Sequence, residues 1–369
     1  MPVPDKITRL GHPPSGATER MRPYSDPMAG LAFGSPEPDI LGADYQALTI
    51  DLPDDAEGAV VATLVRFRPA DSPPPPQAAP ARAVLYLHGL SDYFHQRELA
   101  EFYAARGEHF YALDLRKYGR SLRPHQTPWR MSDVTDYYPE LDAAVQFITA
   151  EGHDHLVINA HSTGGLIALL WLHDRRTRAR NVSPVRAVVL NSPFLDVPAS
   201  WAIRALAPRP LALLAKNRPM MVLPSVGPSY YQLSTHRSER GDWDFVPAWK
   251  PVTGGTVRVE WLAAAQRAIA TAHAGLGLDV PILVLCSART IRTRQWTDEL
   301  FSGDAVLDSD AIARWSTRLG THVTCIRIRG GMHDLLLSKP PVRERVFAEV
   351  ARWTDAYAGE QSPPAGSVN

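Results

Sequence analysis

Residues 156–170, LVINAHSTGGLIALL, decide the fold predicted for this chain. Their first five residues form a short apolar run typical of a buried strand, and the apolar residues after the glycine pair have helical spacing. Ser162 stands at the junction, where a strained turn would hold its hydroxyl above a sheet edge. Such a turn demands small neighbours, which Gly164, Gly165 and Ala160 provide, although glycine is usual at the last of these positions. The pattern predicts a nucleophilic serine; a glycine-rich turn with an incidental serine is the alternative.

A serine hydroxyl attacks only when a base removes its proton and an acid orients that base. Around a turn of this kind the partners follow in the order serine, carboxylate, histidine. His333, in RIRGGMHDLLLS, comes after the last predicted strand, in a glycine-flanked loop that can carry its imidazole back to the sheet edge. We predict that His333 is the base, because no other histidine after Ser162 is placed as well. A surface histidine is the alternative.

The orienting acid should follow the predicted strand ILVLCS, where several carboxylates compete. Asp304, in SGDAVLDSD, follows a Ser-Gly turn signal and precedes a small hydrophobic pair that can anchor the loop. We therefore favour Asp304, while the other acids would be solvated or would cap the helix that starts near Ala311. Four alternatives stay open at this point, namely Asp298, Glu299, Asp308 and Asp310.

Acyl transfer also needs two backbone N–H groups directed at the oxygen of the tetrahedral intermediate. One is expected from Thr163, which follows the serine, and the other from Leu90, which follows the strand and turn AVLYLHG. Only the two amides matter, so neither side chain is constrained. His88, Gly89 and His161 flank these positions, and we expect them to contact the substrate.

The rest of the chain alternates strands and helices around this turn. YQALTIDL and AVVATLVRFR alternate in polarity like half-buried strands. From residue 83 onward, short apolar runs are separated by segments with helical spacing, such as QRELAEFYAAR. Short connections between strand and helix imply a parallel sheet covered on both faces. The predicted fold class is α/β, with a mostly parallel eight-stranded sheet flanked by helices.

One irregular segment interrupts this alternation. Residues 193–256 hold many prolines and several tryptophans, and we interpret them as a lid or cap inserted between strands six and seven. The core would then comprise residues 39–192 and 257–358. Residues 1–38 and 359–369 show no periodic apolar pattern, so we expect a flexible N-terminal tail and a disordered C-terminal tail.

The predicted lid carries apolar side chains that can form a surface for an acyl chain. For most of them we expect a second role instead, packing of the lid onto the core. The sequence does not separate the two groups. The side chains concerned are Trp201, Leu211, Leu213, Leu214, Met220, Met221, Tyr230, Tyr231 and Trp243.

Composition argues against several classes of protein. The formal net charge is zero, so there is no basic field to attract nucleic acid or an anionic membrane. The thirteen histidines are scattered without an HExxH or repeated CxxC motif, so no metal or other cofactor is expected. No apolar window approaches a membrane span and the first residues lack an apolar h-region, so we expect a cytoplasmic protein without membrane insertion. Cys286 and Cys325 lie in apolar runs, and we expect both thiols to be buried and reduced.

Six segments together resemble the α/β-hydrolase fold family. They are most similar to its monoacylglycerol lipase-like or lysophospholipase-like branch, often grouped with serine aminopeptidases of the S33 type. The resemblance covers roughly residues 40–357, including the predicted lid, which that family places between strands six and seven. The segments that carry it are LYLHGLSDYFHQ, FYALDLRKYGRS, AHSTGG, LNSPF, SGDAVLD and GGMHD.

The resemblance also implies roles for individual residues. The family's acid lies in a D-x-V-V-like motif, which Asp304-Ala-Val-Leu matches, so the implied triad is Ser162, Asp304 and His333. The oxyanion hole would be formed by Leu90 and Thr163. The chain departs from the family in having alanine before His-Ser and a longer stretch before the acid.

Three hypotheses of function follow. The first is a serine hydrolase that cleaves carboxylic esters, lipid-like or small, through an acyl-enzyme and with no cofactor. The second keeps the triad but changes the bond or the acceptor, as in an acyltransferase, an aminopeptidase or a carbon–carbon hydrolase. The third is a catalytically silent binding protein of the same fold. The expected partner is a small-molecule ester, and the sequence does not fix the oligomeric state.

Overall fold

The computed structural model describes residues 31–69, 82–177, 184–197, 208–223 and 230–359. Their centre is a nine-stranded sheet with the spatial order β1-β2-β3-β5-β4-β6-β7-β8-β9. Along the chain the strands are β1 Glu37–Asp39, β2 Gly42–Asp55, β3 Gly58–Phe67, β4 Ala83–Leu87, β5 His109–Asp114, β6 Leu156–His161, β7 Val185–Asn191, β8 Ile282–Ser287 and β9 Val323–Ile328.

The strand pairing is antiparallel at one end of the sheet and parallel over the rest. β1, β2, β3 and β5 form antiparallel neighbours, whereas every neighbouring pair from β5 to β9 is parallel. The central strands β4, β6 and β8 are buried at every position because both faces of the sheet are covered. The predicted α/β class with a mostly parallel sheet is confirmed.

Helices cover the two faces and create two separate cores. Alternate residues of β4 show the division, since Leu85 and Leu87 belong to one core and Val84 and Tyr86 to the other. The described helices are α1 Arg97–Ala105, α2 Tyr138–Ala150, α3 Thr163–Thr177, α4 Pro208–Asn217, α5 Tyr230–Leu233, α6 Val259–Ala274, α7 Ser309–Ser316 and α8 Pro340–Tyr357. The first core packs against α2, α3 and α6, and the second against α1 and α8.

The sheet has one strand more than predicted. Counted from β2 it has the eight expected strands, and the insertion follows the sixth, between β7 and β8. The additional strand, β1, pairs with β2, and Phe33 forms a bridge with Ile50. Residues 32–34 and 37–38 therefore pair with the sheet, although they fall within the predicted tail of residues 1–38. The remainder of the two predicted tails lies outside the described residues.

The described part of the insertion contains α4 and α5. Leu211 and Tyr231 are buried, whereas Leu213 and Met221 are exposed, and Trp201 lies outside the described residues. No helix in the described part of the chain is long and apolar enough to cross a membrane.

The two cysteines differ in environment. Cys286 on β8 is buried, as expected, but Cys325 is exposed. The prediction for Cys325 is wrong because β9 is an edge strand whose residues alternate between the core and solvent.

Candidate active site

Ser162 occupies the tight turn between β6 and α3. Its φ of 50° lies in the left-handed region, which is costly for any residue other than glycine. The turn is held by its backbone, because the Ser162 N–H donates to the Asn191 carbonyl at 3.0 Å. The Ser162 carbonyl in turn accepts from the amides of Gly165 and Phe194, each at 3.0 Å. The predicted strand–turn–helix arrangement is present.

The space around the turn explains which neighbours must be small. A methyl group on Gly164 would stand 2.4 Å from the His88 carbonyl oxygen, so only glycine fits there. A methyl on Gly165 would stand 3.1 Å from Cβ of Pro193. Ala160 is fully buried on β6, where its own methyl is accommodated. The departure from glycine at this position therefore leaves the turn intact.

Three predicted residues meet at this turn. The Ser162 hydroxyl lies 3.1 Å from Nε2 of His333, and Nδ1 of His333 lies 2.9 Å from an Asp304 carboxylate oxygen. A carboxylate only accepts hydrogen bonds, so Nδ1 carries the proton and the Nε2 lone pair faces the serine. The other Asp304 oxygen accepts from the amides of Val306 and Leu307, at 2.8 and 2.7 Å, which fixes the carboxylate.

The alternative acids are engaged elsewhere. Asp308 caps α7 by accepting from the Asp310 and Ala311 amides, and it also pairs with Arg292. Asp298 and Glu299 lie in an exposed 3₁₀ turn, 298–301. None of these contacts involves the imidazole of His333.

The long stretch before Asp304 forms a loop whose two ends pair with each other. Thr290 and Asp304 form a bridge, in which the Ile291 amide donates to the Asp304 carbonyl at 2.7 Å. The Asp304 amide donates to the Arg289 carbonyl at 2.9 Å. The extra residues therefore leave the position of the carboxylate at the end of β8 unchanged.

The two predicted oxyanion residues flank the serine. Thr163 is the first residue of α3, so its amide lies at the positive end of the helix dipole. Leu90 follows Gly89, and a methyl group on Gly89 would stand 3.0 Å from Cβ of Ser162. The loop after β4 therefore runs directly against Ser162.

The structure places two of the expected substrate-contacting residues in internal positions. His88 is buried, its Nδ1 donates to the Gly89 carbonyl at 2.8 Å, and its Nε2 accepts from the Leu115 amide at 3.0 Å. Burial also lowers the pKa of His88. Both ring nitrogens of His88 are thus engaged in holding the loop after β4, and its contact with the substrate stays a prediction.

His161 is also buried, with Nδ1 donating to the Asn191 carbonyl at 3.1 Å. Its ring lies 4.9 Å from that of His333. Burial lowers the pKa of His161, and although Asp334 opposes this shift, the imidazole stays neutral. His161 thus packs against His333 rather than facing solvent.

A buried polar cluster next to the site was not predicted. A ring nitrogen of His161 and carboxylate oxygens of Asp92 and Asp334 lie within 4.8 Å of one another. Asp334 accepts from Asn191 at 2.7 Å and from Gln96 at 2.9 Å. These neighbours occur in the segments HGLSDYFHQ, LNSPF and GGMHD, but their contacts depend on tertiary structure.

Asp334 stays ionised in this interior. Burial alone would raise its pKa, but the charge of Lys250 and the N–H groups donated by Asn191 and Leu336 hold the pKa below its usual range. Lys250, from the insertion, places its ammonium 2.7 Å from Asp92 and so supplies a positive charge to the cluster.

Tyr231, from α5, closes the other side of the site. Its ring meets the His333 imidazole edge to face at 5.4 Å, and its hydroxyl accepts from the Asp334 amide at 3.2 Å. Burial raises the pKa of Tyr231 well above its usual value, so the hydroxyl remains neutral. One residue of the insertion therefore fixes the loop that carries His333.

Fold and comparison with solved structures agree on the class of this protein, which has the α/β-hydrolase fold. A soluble variant of monoglyceride lipase from Saccharomyces cerevisiae, in complex with a substrate analog, superposes with a TM-score of 0.59 and 14% identity. The alignment covers 83% of this chain and 94% of that one. A carboxyl esterase from Bacillus coagulans in complex with glycerol superposes with a TM-score of 0.55 and 13% identity, and the alignment covers 86% of this chain and 100% of that one. Monoacylglycerol lipase from Paleococcus ferrophilus superposes with a TM-score of 0.52 and 17% identity, and the alignment covers 74% of this chain and 94% of that one.

The sequence identifies the family. Residues 78–339 match the family described as serine aminopeptidase, S33, and the chain belongs to this family. No curated protein matches the sequence. At these identities the solved structures establish the fold, and the choice of substrate has to be argued from the site.

Proposed function

We propose that this protein is a serine hydrolase that cleaves carboxylic esters through an acyl-enzyme on Ser162. The observation that carries the proposal is the chain of hydrogen bonds from Ser162 through His333 to Asp304, at 3.1 and 2.9 Å. A fixed tautomer with its lone pair on the serine hydroxyl is the arrangement that general-base activation requires.

The first half of the reaction forms the acyl-enzyme. Nε2 of His333 accepts the Ser162 proton as Oγ attacks the ester carbonyl carbon, and Asp304 stabilises the imidazolium that results. The amides of Leu90 and Thr163 receive the oxyanion, aided by the N-terminus of α3. Collapse of the tetrahedral intermediate breaks the carbon–oxygen bond, and His333 gives its proton to the departing alcohol.

The second half reverses these roles with water. His333 accepts a proton from water, whose oxygen attacks the acyl carbon, and the same two amides hold the second oxyanion. Collapse releases the carboxylic acid and returns the proton to Ser162. Each step uses only groups of this chain together with the ester and water.

A lipid-like acyl group is the substrate that the surface of the insertion favours. Among the described residues, five large apolar side chains are notably exposed, and three of these belong to the insertion: Leu213, Met221 and Val222. Exposed apolar side chains on such an insertion offer a surface on which an acyl chain can bind. Lipases and a carboxyl esterase also share this fold, so medium-chain esters and monoacylglycerols are the first substrates to try.

A fluorophosphonate probe tests the proposal, because it phosphonylates only an activated serine. We expect the wild-type protein to be labelled at Ser162, as located by peptide mass spectrometry, and Ser162→Ala to be unlabelled while folded by circular dichroism. Absence of labelling of the folded wild-type protein would refute the proposed chemistry.

An ester series then defines the substrate. p-Nitrophenyl esters of rising chain length, monoacylglycerols and an aminoacyl p-nitroanilide would be compared by kcat/KM. We expect the esters to be turned over faster than the anilide; a preference for the anilide would instead favour the peptidase that the family's description names.

A further inference from the structure

A buried ion pair joins the insertion to the loop that follows β4. Nζ of Lys250 lies 2.7 Å from Asp92 Oδ1 and 3.2 Å from Nε2 of His95, and all three side chains are almost completely buried. The ammonium donates to both, so His95 is neutral and its protonated Nδ1 has no hydrogen-bond partner within the described residues. Burial and the charge of Lys250 hold the pKa of His95 well below its usual value.

Such a pair contributes little net stability but is costly to break. Desolvation of two charges roughly cancels their attraction, whereas removing one partner leaves the other buried and unpaired. The presence of a lysine here is therefore better explained by a role in positioning its neighbours than by a gain in stability. Nearby apolar residues, such as Phe245 with its ring centroid 5.1 Å from Nζ, seal the ammonium from solvent.

The residues of this buried cluster are neighbours in sequence of the proposed reacting groups. His161 immediately precedes Ser162, Asp334 immediately follows His333, and Asp92 lies two residues after Leu90. The nucleophile, the base and the oxyanion loop are thus each adjacent to one member of a single buried cluster. Three reacting loops converge there, and the insertion supplies the cation.

The charges of the cluster also indicate that Lys250 acts on the site. Asp92 and Asp334 are two buried carboxylates, and Lys250 is the ammonium that faces them, beside neutral His161 and His95. Among the described residues of the cluster, protonation of an imidazole would be the cationic compensation left without Lys250. His161 contacts the catalytic imidazole, so that change would occur beside His333.

We propose that Lys250 is a positioning residue for the active site, an internal cation that holds the oxyanion loop, the nucleophile and the base in register. The inference rests on the proposed function and adds to it a role for the insertion.

The test compares Lys250→Met, which keeps the length of the side chain but removes its charge, with Lys339→Met. Lys339 forms an exposed pair with Asp242 at 2.7 Å and serves as the matched control. We expect Lys250→Met to lower kcat for an ester by about tenfold to a hundredfold with KM little changed, because small displacements of catalytic groups have effects of that size. The acidic limb of the pH–rate profile of Lys250→Met should lie at higher pH than that of the wild-type protein. Lys339→Met should change neither kcat nor the pH–rate profile.

Chemical rescue separates positioning from simple loss of structure. Lys250→Ala leaves a space that matches n-propylammonium, so added propylamine should restore much of kcat at a fixed pH and ionic strength, whereas tetramethylammonium should not. Active-site titration with the fluorophosphonate probe reports the folded, competent fraction in every sample. A kcat per titrated site within about twofold of wild type for Lys250→Met would overturn the proposal.

If the single variants fail to fold, the double variant Asp92→Asn/Lys250→Met replaces them, because it removes both charges of the pair and leaves the net charge of the cluster unchanged. It should fold and still show a lowered kcat without rescue by propylamine; wild-type kcat in that protein would overturn the proposal. Labelling of wild-type Ser162 tests the proposed function alone, so the failure of either idea is recognised separately.

Discussion

Ser162 holds a backbone conformation that a serine adopts at a cost of about 1–3 kcal/mol. Hydrogen bonds from the amides of Gly165 and Phe194 to the Ser162 carbonyl offset this cost. The close fit of Gly164 under the loop after β4 also holds the turn in place. Strain of this kind persists only where the surroundings fix it. The chemistry of the site therefore depends on small residues that take no part in the reaction.

Substitution of Gly164 tests this dependence. The methyl group of Gly164→Ala would meet the carbonyls of His88 and Leu87 at 2.4 and 2.8 Å, so the variant must shift backbone. We expect a loss of about 1–3 kcal/mol or more in the free energy of unfolding, measured by urea denaturation, together with slower labelling of Ser162. Ala160→Gly is the control and should retain the labelling rate, and equal behaviour of the two variants would contradict the steric argument.

Asp304 is the second residue whose role can be isolated. In Asp304→Asn the new amide would donate towards Nδ1 of His333 and favour the tautomer with the proton on Nε2, which cannot accept from Ser162. We expect kcat for an ester to fall by about 10⁴ with the fold preserved.

Asp308→Asn provides the control for that measurement. Asparagine caps a helix about as well as aspartate, so α7 should keep its N-cap and the enzyme its kcat. A large loss in Asp308→Asn with normal activity in Asp304→Asn would reassign the acid to the neighbouring position.

At the scale of elements, local pattern predicted much of what was found, for identifiable reasons. β6, the turn and α3 are contiguous, so one run of sequence contains both the strand and the helix that strain Ser162. β1 was missed because three residues show no periodicity. The Asp92–Lys250 pair spans 158 positions, and its formation depends on how the insertion folds, which local pattern does not contain. Asp304 could be chosen only by its turn signal and family resemblance.

The β2–β3 hairpin contains a carboxylate whose pKa predicts how the stability of the fold depends on pH. Lys117, buried in the loop after β5, donates to Glu57 of the hairpin turn at 2.6 Å and also pairs with Asp55. Burial alone would raise the pKa of Glu57, but hydrogen bonds from Lys117 and Thr127 lower it to about 2. This value lies below the unfolded value of about 4.3, so the ionised group stabilises the fold at neutral pH and loses that effect as the pH falls towards 2.

Glu57→Gln should therefore lower the free energy of unfolding by roughly 1–2 kcal/mol at pH 7, and the difference from wild type should shrink between about pH 4 and pH 2. Urea denaturation at several pH values measures it. Glu344→Gln, at an exposed position on α8, is the control and should show no such trend. A Glu57→Gln difference that stays constant over this range would mean that the carboxylate charge is not what joins the hairpin to the loop.

At the scale of the whole molecule, the described insertion divides into two parts with different attachments. The later part is fixed to the core at several points. Trp243 donates its ring N–H to the Leu337 carbonyl at 3.0 Å, and the Val246 amide donates to the Tyr93 hydroxyl at 2.8 Å. Lys250 adds the ion pair with Asp92. By contrast, α4 buries Leu211 but leaves Leu213 63% exposed.

Hydrogen exchange should reveal this division. Amides whose opening requires breaking buried contacts exchange with a free energy close to that of global unfolding, whereas a helix with a single buried face opens locally. We expect peptides from residues 231–250 to exchange about as slowly as β8, and peptides from α4 to exchange faster, measured by mass spectrometry at neutral pH. Fast exchange in both 208–223 and 230–250 would mean that neither part of the described insertion is fixed to the core, and Tyr231 and Lys250 would then be unable to hold the site as inferred. Slow exchange confined to 231–250 would instead place any adjustment to substrate size in α4, which carries the exposed Leu213.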